Sequence, residues 1–186
     1  MMKTKATLRV RPARPVRVRA LPPNKRKRDA NDLRNELVKV ERDNRSHLLL
    51  EQAIVNAFAA NKIKLLTNRH IDLLARVGPV SVIFEVKACS PMDIGRPLSQ
   101  AVIQLLEYRY HYRNTLEPDI RLCIVSERRP RGGLEWLIGF FEHLNIGIIW
   151  KNDGDNELSC NEFTKRLLED VLPGIKTWIP KPILWK

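Results

Sequence analysis

The chain has 186 residues, of which 44% are hydrophobic and 29% charged, and its formal net charge is +12. This size and composition predict one soluble domain with a buried core. Three cysteines cannot build a disulfide framework or a four-cysteine iron–sulfur site, so we expect a reducing compartment. No apolar run approaches the ~20 residues that span a bilayer. The first residues also lack the apolar segment of a secretory signal.

The positive charge is concentrated at one end of the chain. Residues 1–30 hold eleven basic side chains and one acidic side chain, whereas the remaining residues are nearly neutral. We therefore predict a basic arm over 1–30 and one domain over 31–186. The core of the domain is expected at about 46–150, with a last helix and a Trp- and Pro-rich tail over 159–186.

The arm is rich in proline and has no helical apolar stripe, so we expect it to be disordered in isolation. A basic segment of this kind attracts a polyanion by releasing its counterions. We expect its basic run to contact nucleic acid, through Lys25, Arg26, Lys27 and Arg28. A solubilising tail, a nuclear address at Lys25–Arg28 and an organelle transit peptide remain alternative interpretations of the arm.

After the arm, the hydrophobic periodicity predicts the element order α-β-β-β-α-β-α-β-α. One or two helices are expected over 30–60, the second at 46–60, and Ser159 with Glu162 forms a capping-box pattern before the last helix. The other predicted helices are 98–113, 134–144 and 161–172, and the predicted strands are 63–66, 70–75, 80–88, 120–126 and 146–150.

The strand predicted over 80–88 carries charge on one face. Alternation places Val82, Phe84 and Val86 on one side and Glu85 and Lys87 on the other, beside Ile83. Burying charge is costly unless it is paired or bound to a metal. An exposed edge strand with a solvated Glu–Lys pair is the alternative, and it requires Ile83 and Leu74 to be exposed.

The preceding strand supplies a second acid. A hairpin centred between Gly78 and Pro79 places Asp72 directly across from Glu85, and His70 across from Lys87. Two carboxylates this close repel each other unless a cation lies between them, and hard oxygen ligands suit Mg²⁺ or Mn²⁺. His70 is expected to be structural.

Two helices contribute further candidates. Glu51 lies on the apolar side of the helix predicted at 46–60, where it either faces a site or sits at the margin of the apolar stripe. Gln104 and Tyr108 are four residues apart on the next helix and can both hydrogen-bond a ligand.

A basic loop follows the strand predicted at 120–126. It contains Arg128, Arg129 and Arg131 before two glycines, and it precedes a helix. Such a loop suits a phosphate backbone, and a solvated turn is the alternative.

The pattern as a whole resembles the PD-(D/E)xK nuclease superfamily. It consists of Asp72, twelve intervening residues, Glu85-Val86-Lys87, and then Gln104 and Tyr108 on a helix. The Gln-x-x-x-Tyr element resembles the branch found in bacterial recombination nucleases, here without an iron–sulfur cluster. The resemblance covers residues 46–126, and Ile71 stands where many members have proline. It implies a restriction-endonuclease-like α/β fold, with an α-β-β-β-α-β core and a mixed sheet flanked by helices.

The resemblance also implies roles for these residues. Asp72, Glu85, Glu51 and the Val86 carbonyl would hold Mg²⁺ or Mn²⁺. Lys87 would orient the attacking water and offset phosphate charge. Gln104 and Tyr108 would position the substrate strand.

The expected function is metal-dependent hydrolysis of DNA phosphodiester bonds, as an endonuclease. A non-catalytic nucleic-acid-binding subunit, an RNA nuclease and a nuclease that needs a partner protein are the alternatives. We expect DNA as the partner, a homodimer if both strands are cut, no membrane, and a cytoplasmic, nucleoid-associated location, or a nuclear one in a eukaryote.

Overall fold

The computed structural model describes residues 11–12, 30–90, 93–152 and 157–178, with side chains from residue 38 onward. Within these ranges there are four helices, α1 (Ala30–Ala60), α2 (Gly95–Tyr112), α3 (Trp136–His143) and α4 (Glu162–Leu168). The same ranges contain eight strands, β1 (Arg11–Pro12), β2 (Leu65–Thr67), β3 (Leu73–Val77), β4 (Val80–Lys87), β5 (Asp119–Ser126), β6 (Ile146–Lys151), β7 (Leu158–Cys160) and β8 (Lys176–Thr177).

All eight strands form one mixed sheet in which they lie in chain order. The strands from β1 to β4 pair antiparallel. The next two pairs, β4–β5 and β5–β6, are parallel. Each is connected by a helix, α2 or α3, that returns the chain to the end of the sheet where the preceding strand began. β7 is antiparallel to β6, and β8 is parallel to β7. The predicted α/β fold with a mixed, helix-flanked sheet is confirmed.

The helices cover both faces of the sheet. On one face, α1 contributes Leu50, Ile54 and Phe58, and α4 contributes Leu168, to a core that includes Phe84 of β4. On the other face, the apolar stripe of α2 packs with α3 over the opposite side of the same strands, through Leu98, Ala101, Val102, Leu105, Leu137 and Phe141. The central strands are therefore buried on both faces, as strands of parallel pairs usually are.

The predicted order of elements is confirmed from α1 to α4, and three short strands were missed. β1, β7 and β8 have two or three residues each, too few to show a period. The predicted capping box was wrong. Ser159 belongs to β7, and Asn161 caps α4 with a side chain that accepts from the Thr164 N–H at 3.0 Å.

The edge-strand alternative for Glu85 and Lys87 is wrong. β4 pairs with β3 on one side and with β5 on the other, so it is an interior strand. Ile83 and Leu74, which had to be exposed, are both 0% exposed. The two charged residues therefore project from a buried strand.

Most of the basic arm, including Lys25 to Arg28, and the tail after Trp178 lie outside the described residues. Within the arm, Arg11 and Pro12 pair with Thr67 and Leu66 at the edge of the sheet. Among the described residues, no helix combines the length and apolarity that a bilayer crossing requires.

Candidate metal centre

The β3–β4 hairpin has the predicted register. Val77 pairs with Val80 around the two-residue turn Gly78-Pro79, and the ladder continues to the pair Leu73–Phe84. Asp72 immediately precedes β3, and continuing the same register by one residue places it across from Glu85. Its carboxylate Oδ2 accepts the main-chain N–H of Val86 at 2.8 Å. The side chain of Asp72 thus takes a place that a strand carbonyl would occupy, and it is fixed at the carboxyl end of β4.

His47, Glu51 and Asp72 bring three potential ligand atoms within 4.8 Å of one another. His47 and Glu51 are four residues apart on α1, with Nδ1 of His47 3.7 Å from Oε1 of Glu51. Nε2 of His47 lies 3.7 Å from Oδ2 of Asp72. The predicted ligands Asp72 and Glu51 are therefore brought together, and His47 joins them.

Glu85, Lys87, Gln104 and Tyr108 form a chain of polar contacts between β4 and α2. Lys87 Nζ donates to Oε1 of Glu85 at 2.5 Å and to Oε1 of Gln104 at 2.7 Å. The Gln104 amide donates to the Tyr108 hydroxyl at 3.5 Å. The predicted helical pair thus adjoins the predicted lysine. Glu85 does not belong to the three-residue ligand group, and its second oxygen, Oε2, is buried without a hydrogen-bond partner in the part of the chain that the structure describes.

Burial and crowding of acids dominate the electrostatics. Burial, and then the nearby charge of Asp72, raise the pKa of Glu51 to about 7. The same two causes raise the pKa of Glu85 to about 7, against the opposing effect of Lys87. Both carboxyls thus have pKa values near neutral pH, as expected for buried acids that lie beside another carboxylate.

Asp72 lies close enough to both Glu51 and Glu85 for its charge to raise the pKa of each. Burial raises the pKa of Asp72, while the Val86 N–H, His47 and Lys87 act in the opposite direction. Burial lowers the pKa of His47, which leaves its imidazole neutral at pH 7, the form that binds metals. Burial and Glu85 raise the pKa of Tyr108 to about 12, so its hydroxyl keeps its proton.

Glu127 connects three segments around the site. One carboxylate oxygen accepts from Ser46 Oγ on α1 at 3.1 Å, and the other accepts from the main-chain N–H of Cys89 at 3.0 Å. Its own N–H donates to the Lys87 carbonyl at 3.0 Å. Glu127 thereby fixes the part of α1 that carries His47 against the end of β4.

His70 and the basic loop that follows β5 do not take part in the contacts described above. His70 was expected across from Lys87, but it is exposed in a turn before β3, where its N–H donates to Oδ1 of Asn68 at 2.7 Å. In the basic loop, the Arg129 guanidinium lies 3.2 Å above the centre of the Trp178 ring. Arg128 is half-buried and Arg131 is exposed, both beyond the end of β5.

Sequence reasoning missed His47 and Glu127. A signal for His47 was present, because it precedes Glu51 by one helical turn and so shares its face. Glu127 gave no comparable signal, since its partners lie 38 and 81 residues away along the chain.

Comparison with known proteins adds no identification. No protein-family model, no curated protein and no solved structure matches the chain.

Proposed function

We propose that this protein is a metal-dependent nuclease that hydrolyses DNA phosphodiester bonds, with the PD-(D/E)xK arrangement that its sequence resembles. The observation that carries the proposal is the convergence of Asp72, Glu85, Lys87 and Glu51 at the carboxyl end of β4. The order α1-β2-β3-β4-α2-β5 supports it, because the resemblance implies that order for the core.

The side chains present fit a divalent cation. His47, Glu51 and Asp72 would supply one nitrogen and two carboxylate ligands, and Glu85 has a buried oxygen that finds no hydrogen-bond partner among the described residues. Burial, and then the nearby charge of Asp72, raise the pKa of both Glu51 and Glu85 to about 7, and a bound cation would favour their charged forms. Carboxylates suit Mg²⁺ and Mn²⁺, and an imidazole ligand shifts the preference toward Mn²⁺. The Val86 carbonyl is a further candidate ligand, since its N–H already holds Asp72.

When bound, such a cation would offset charge on the phosphate and make water more acidic. The chain supplies the remaining functions. Lys87, held by Glu85 and Gln104, is positioned to orient the attacking water and to stabilise negative charge on the phosphate. Tyr108 and Gln104 offer a hydroxyl and an amide to the substrate strand beside it. Arg128, Arg129 and Arg131, with the basic arm, would contact the phosphate backbone.

A binding subunit that keeps the fold without catalysis is the second candidate. The intact Asp72, Glu85 and Lys87 argue against it, because a protein that only binds nucleic acid has no use for crowded buried acids. RNA is an alternative substrate, since none of these groups distinguishes ribose from deoxyribose.

Cleavage of supercoiled, linear and single-stranded DNA, with Mg²⁺, Mn²⁺ or EDTA, tests the proposal. We expect metal-dependent cleavage by the wild type and a loss of about 10²-fold or more in Lys87→Ala. Lys165→Ala is the matched control, because Lys165 is an exposed lysine on α4. The substrate panel also separates endonuclease from exonuclease action.

Two outcomes would overturn the proposal. Equal loss of activity in Lys165→Ala and Lys87→Ala would show that general charge, not the site, matters. Tight DNA binding without cleavage by the wild type under any metal condition would favour the binding subunit.

A further inference from the structure

Two large aromatic side chains of α3 are exposed to solvent. Trp136 is 61% exposed and Phe140 is 42% exposed. They are one helical turn apart, and their ring centroids lie 6.0 Å from each other. Neither belongs to the core that Leu137 and Phe141 of the same helix help to build. Contiguous apolar surface exposed to solvent is one mark of a binding site.

In the sequence, a short connecting segment leads from the candidate metal centre to the aromatic pair. Ser126, the last residue of β5, pairs with Lys87 of β4, and the next N–H, from Glu127, donates to the Lys87 carbonyl. The connection to α3 therefore begins beside the site. It ends near the first residue of α2, since a Cβ atom on Gly95 would lie 3.8 Å from the side chain of Leu134. Trp136 follows two residues later.

The same connection is basic. It carries Arg128, Arg129 and Arg131, and the glycines at 132 and 133 have φ values of +68° and +89°. Glu135, the acid that follows, accepts the main-chain N–H of Gly133 at 2.9 Å. The Arg129 guanidinium packs on the Trp178 ring. Arg128 and Arg131 lie on either side of it, between the candidate metal centre and the aromatic pair along the chain. Cationic groups followed by exposed aromatic rings are the two parts of a surface that binds single-stranded nucleic acid.

We propose that Trp136 and Phe140 form a stacking platform for unpaired nucleobases of a DNA strand whose backbone runs along Arg128–Arg131 toward the metal centre. This inference rests on the proposed function and specifies its substrate. Bases inside a duplex have both faces covered, so an aromatic ring on the surface gains contact only from unpaired bases. The platform would thus favour single-stranded segments, such as a frayed end or a flap, over intact duplex.

The test measures, by fluorescence anisotropy, the binding of a labelled 20-nucleotide oligothymidine and of a blunt 20-base-pair duplex. EDTA is present so that no strand is cut. We expect Trp136→Ala to raise the Kd for the single strand about 5- to 100-fold, the effect of losing one stacked base. Phe140→Ala should act in the same direction, and Trp136→Phe should restore most of the affinity. The Kd for duplex should change by less than about twofold.

Tyr110→Ala is the matched control, because Tyr110 is an aromatic side chain on α2 with 64% exposure. The salt dependence gives a second readout. Arg131→Ala should make the slope of log Kd against log salt shallower by about one, whereas Trp136→Ala should leave the slope unchanged, because stacking releases no counterions.

Three results would overturn the platform. They are an unchanged single-strand Kd in Trp136→Ala, an equal loss in Tyr110→Ala, or a wild-type dimer that dissociates in Trp136→Ala. The last result would assign the patch to contact between two copies of the chain. Cleavage that depends on Lys87 can persist in all three cases, so failure of the platform remains distinguishable from failure of the nuclease proposal.

Discussion

Ser46 of α1 donates its hydroxyl hydrogen to Glu127 at 3.1 Å, although the two residues are 81 positions apart in the chain. The bond connects the helix that carries His47 and Glu51 with the segment that follows β5. Because the other oxygen of Glu127 is bonded to the Cys89 N–H, the carboxylate has a defined orientation. Together with the core contacts of α1, this hydrogen bond helps to fix the helix beside the end of β4, where the ligand group lies.

Removing this connection should weaken metal binding as well as the fold. We expect Glu127→Ala to lower the free energy of unfolding by about 1.5–3 kcal/mol, because hydrogen bonds to a charged group are lost. Ser46→Ala should cost about 1 kcal/mol. Both variants should raise the Kd for Mn²⁺, measured by electron paramagnetic resonance at fixed pH. Glu142→Ala, which removes an exposed acid from α3, should change stability by less than about 0.5 kcal/mol. Unchanged Mn²⁺ affinity in Ser46→Ala would argue against the positioning role.

Metal binding should strengthen with pH through the neutral range. Glu51 and Glu85 have pKa values raised to about 7, and a cation must displace their protons. As the pH falls below 7, metal affinity decreases about tenfold per pH unit for each proton that the metal must displace. We therefore expect the rise in Tm caused by Mn²⁺ to be larger at pH 8 than at pH 6. An equal rise at both pH values would contradict this, and Glu51→Gln should reduce the pH dependence.

The metal-free protein should behave in the opposite way. A carboxyl whose pKa is higher in the folded state than its ordinary value of 4.5 holds its proton more tightly when folded. The unfolded chain therefore binds fewer protons between pH 4.5 and about 7, and the contribution of these two groups to stability falls as pH rises through that window. Urea unfolding in EDTA at pH 5 and pH 7.5 measures this, and Glu85→Gln should lessen the decline. A decline of the same size in Glu85→Gln would assign it to other groups.

Much of the site could be predicted because a tight hairpin sets its own register. The two-residue turn at Gly78, where φ is +55°, fixed the pairing and placed Asp72 beside Glu85 and Val86. The alternation of β4 then separated Phe84 from Glu85 correctly. These are relationships over short sequence distances, where local geometry decides.

The errors lie where side chains or distant elements decide. Alternation over the strand predicted at 70–75 would place Ile71 on the face of Leu73. Ile71 instead packs in the opposite core, because Asn68 holds the N–H groups of His70 and Ile71, each at 2.7 Å, in a turn. That turn delays β3 until Leu73 and moves His70 out of the strand. The approach of His47 to Asp72 depends on how α1 is rotated over the sheet, which the local sequence does not encode.

The basic arm has its own prediction. Deleting residues 1–29 removes eleven basic side chains and one acidic side chain. If the arm contacts phosphates, the affinity for DNA should fall and the slope of log K against log salt should become shallower. Titration of duplex DNA at 50 to 200 mM salt, with the full chain as reference, checks this. An unchanged slope would mean that the arm does not touch the nucleic acid.

Gly147 in β6 tests the packing of α4 on the sheet. A Cβ atom there would lie 3.0 Å from Thr164 Cγ2 and 3.1 Å from Leu167 Cδ2. Thr164 cannot rotate away freely, because its hydroxyl accepts the Ile148 N–H at 2.8 Å. We expect Gly147→Ala to lower the free energy of unfolding by about 1–3 kcal/mol through overpacking. Gly139→Ala on α3 meets no atom within 4 Å and should instead raise it by about 0.5–1 kcal/mol, since alanine favours the helix. Urea titration of both variants separates the two effects. A Gly147→Ala protein as stable as the wild type would mean that α4 shifts to accept the methyl group.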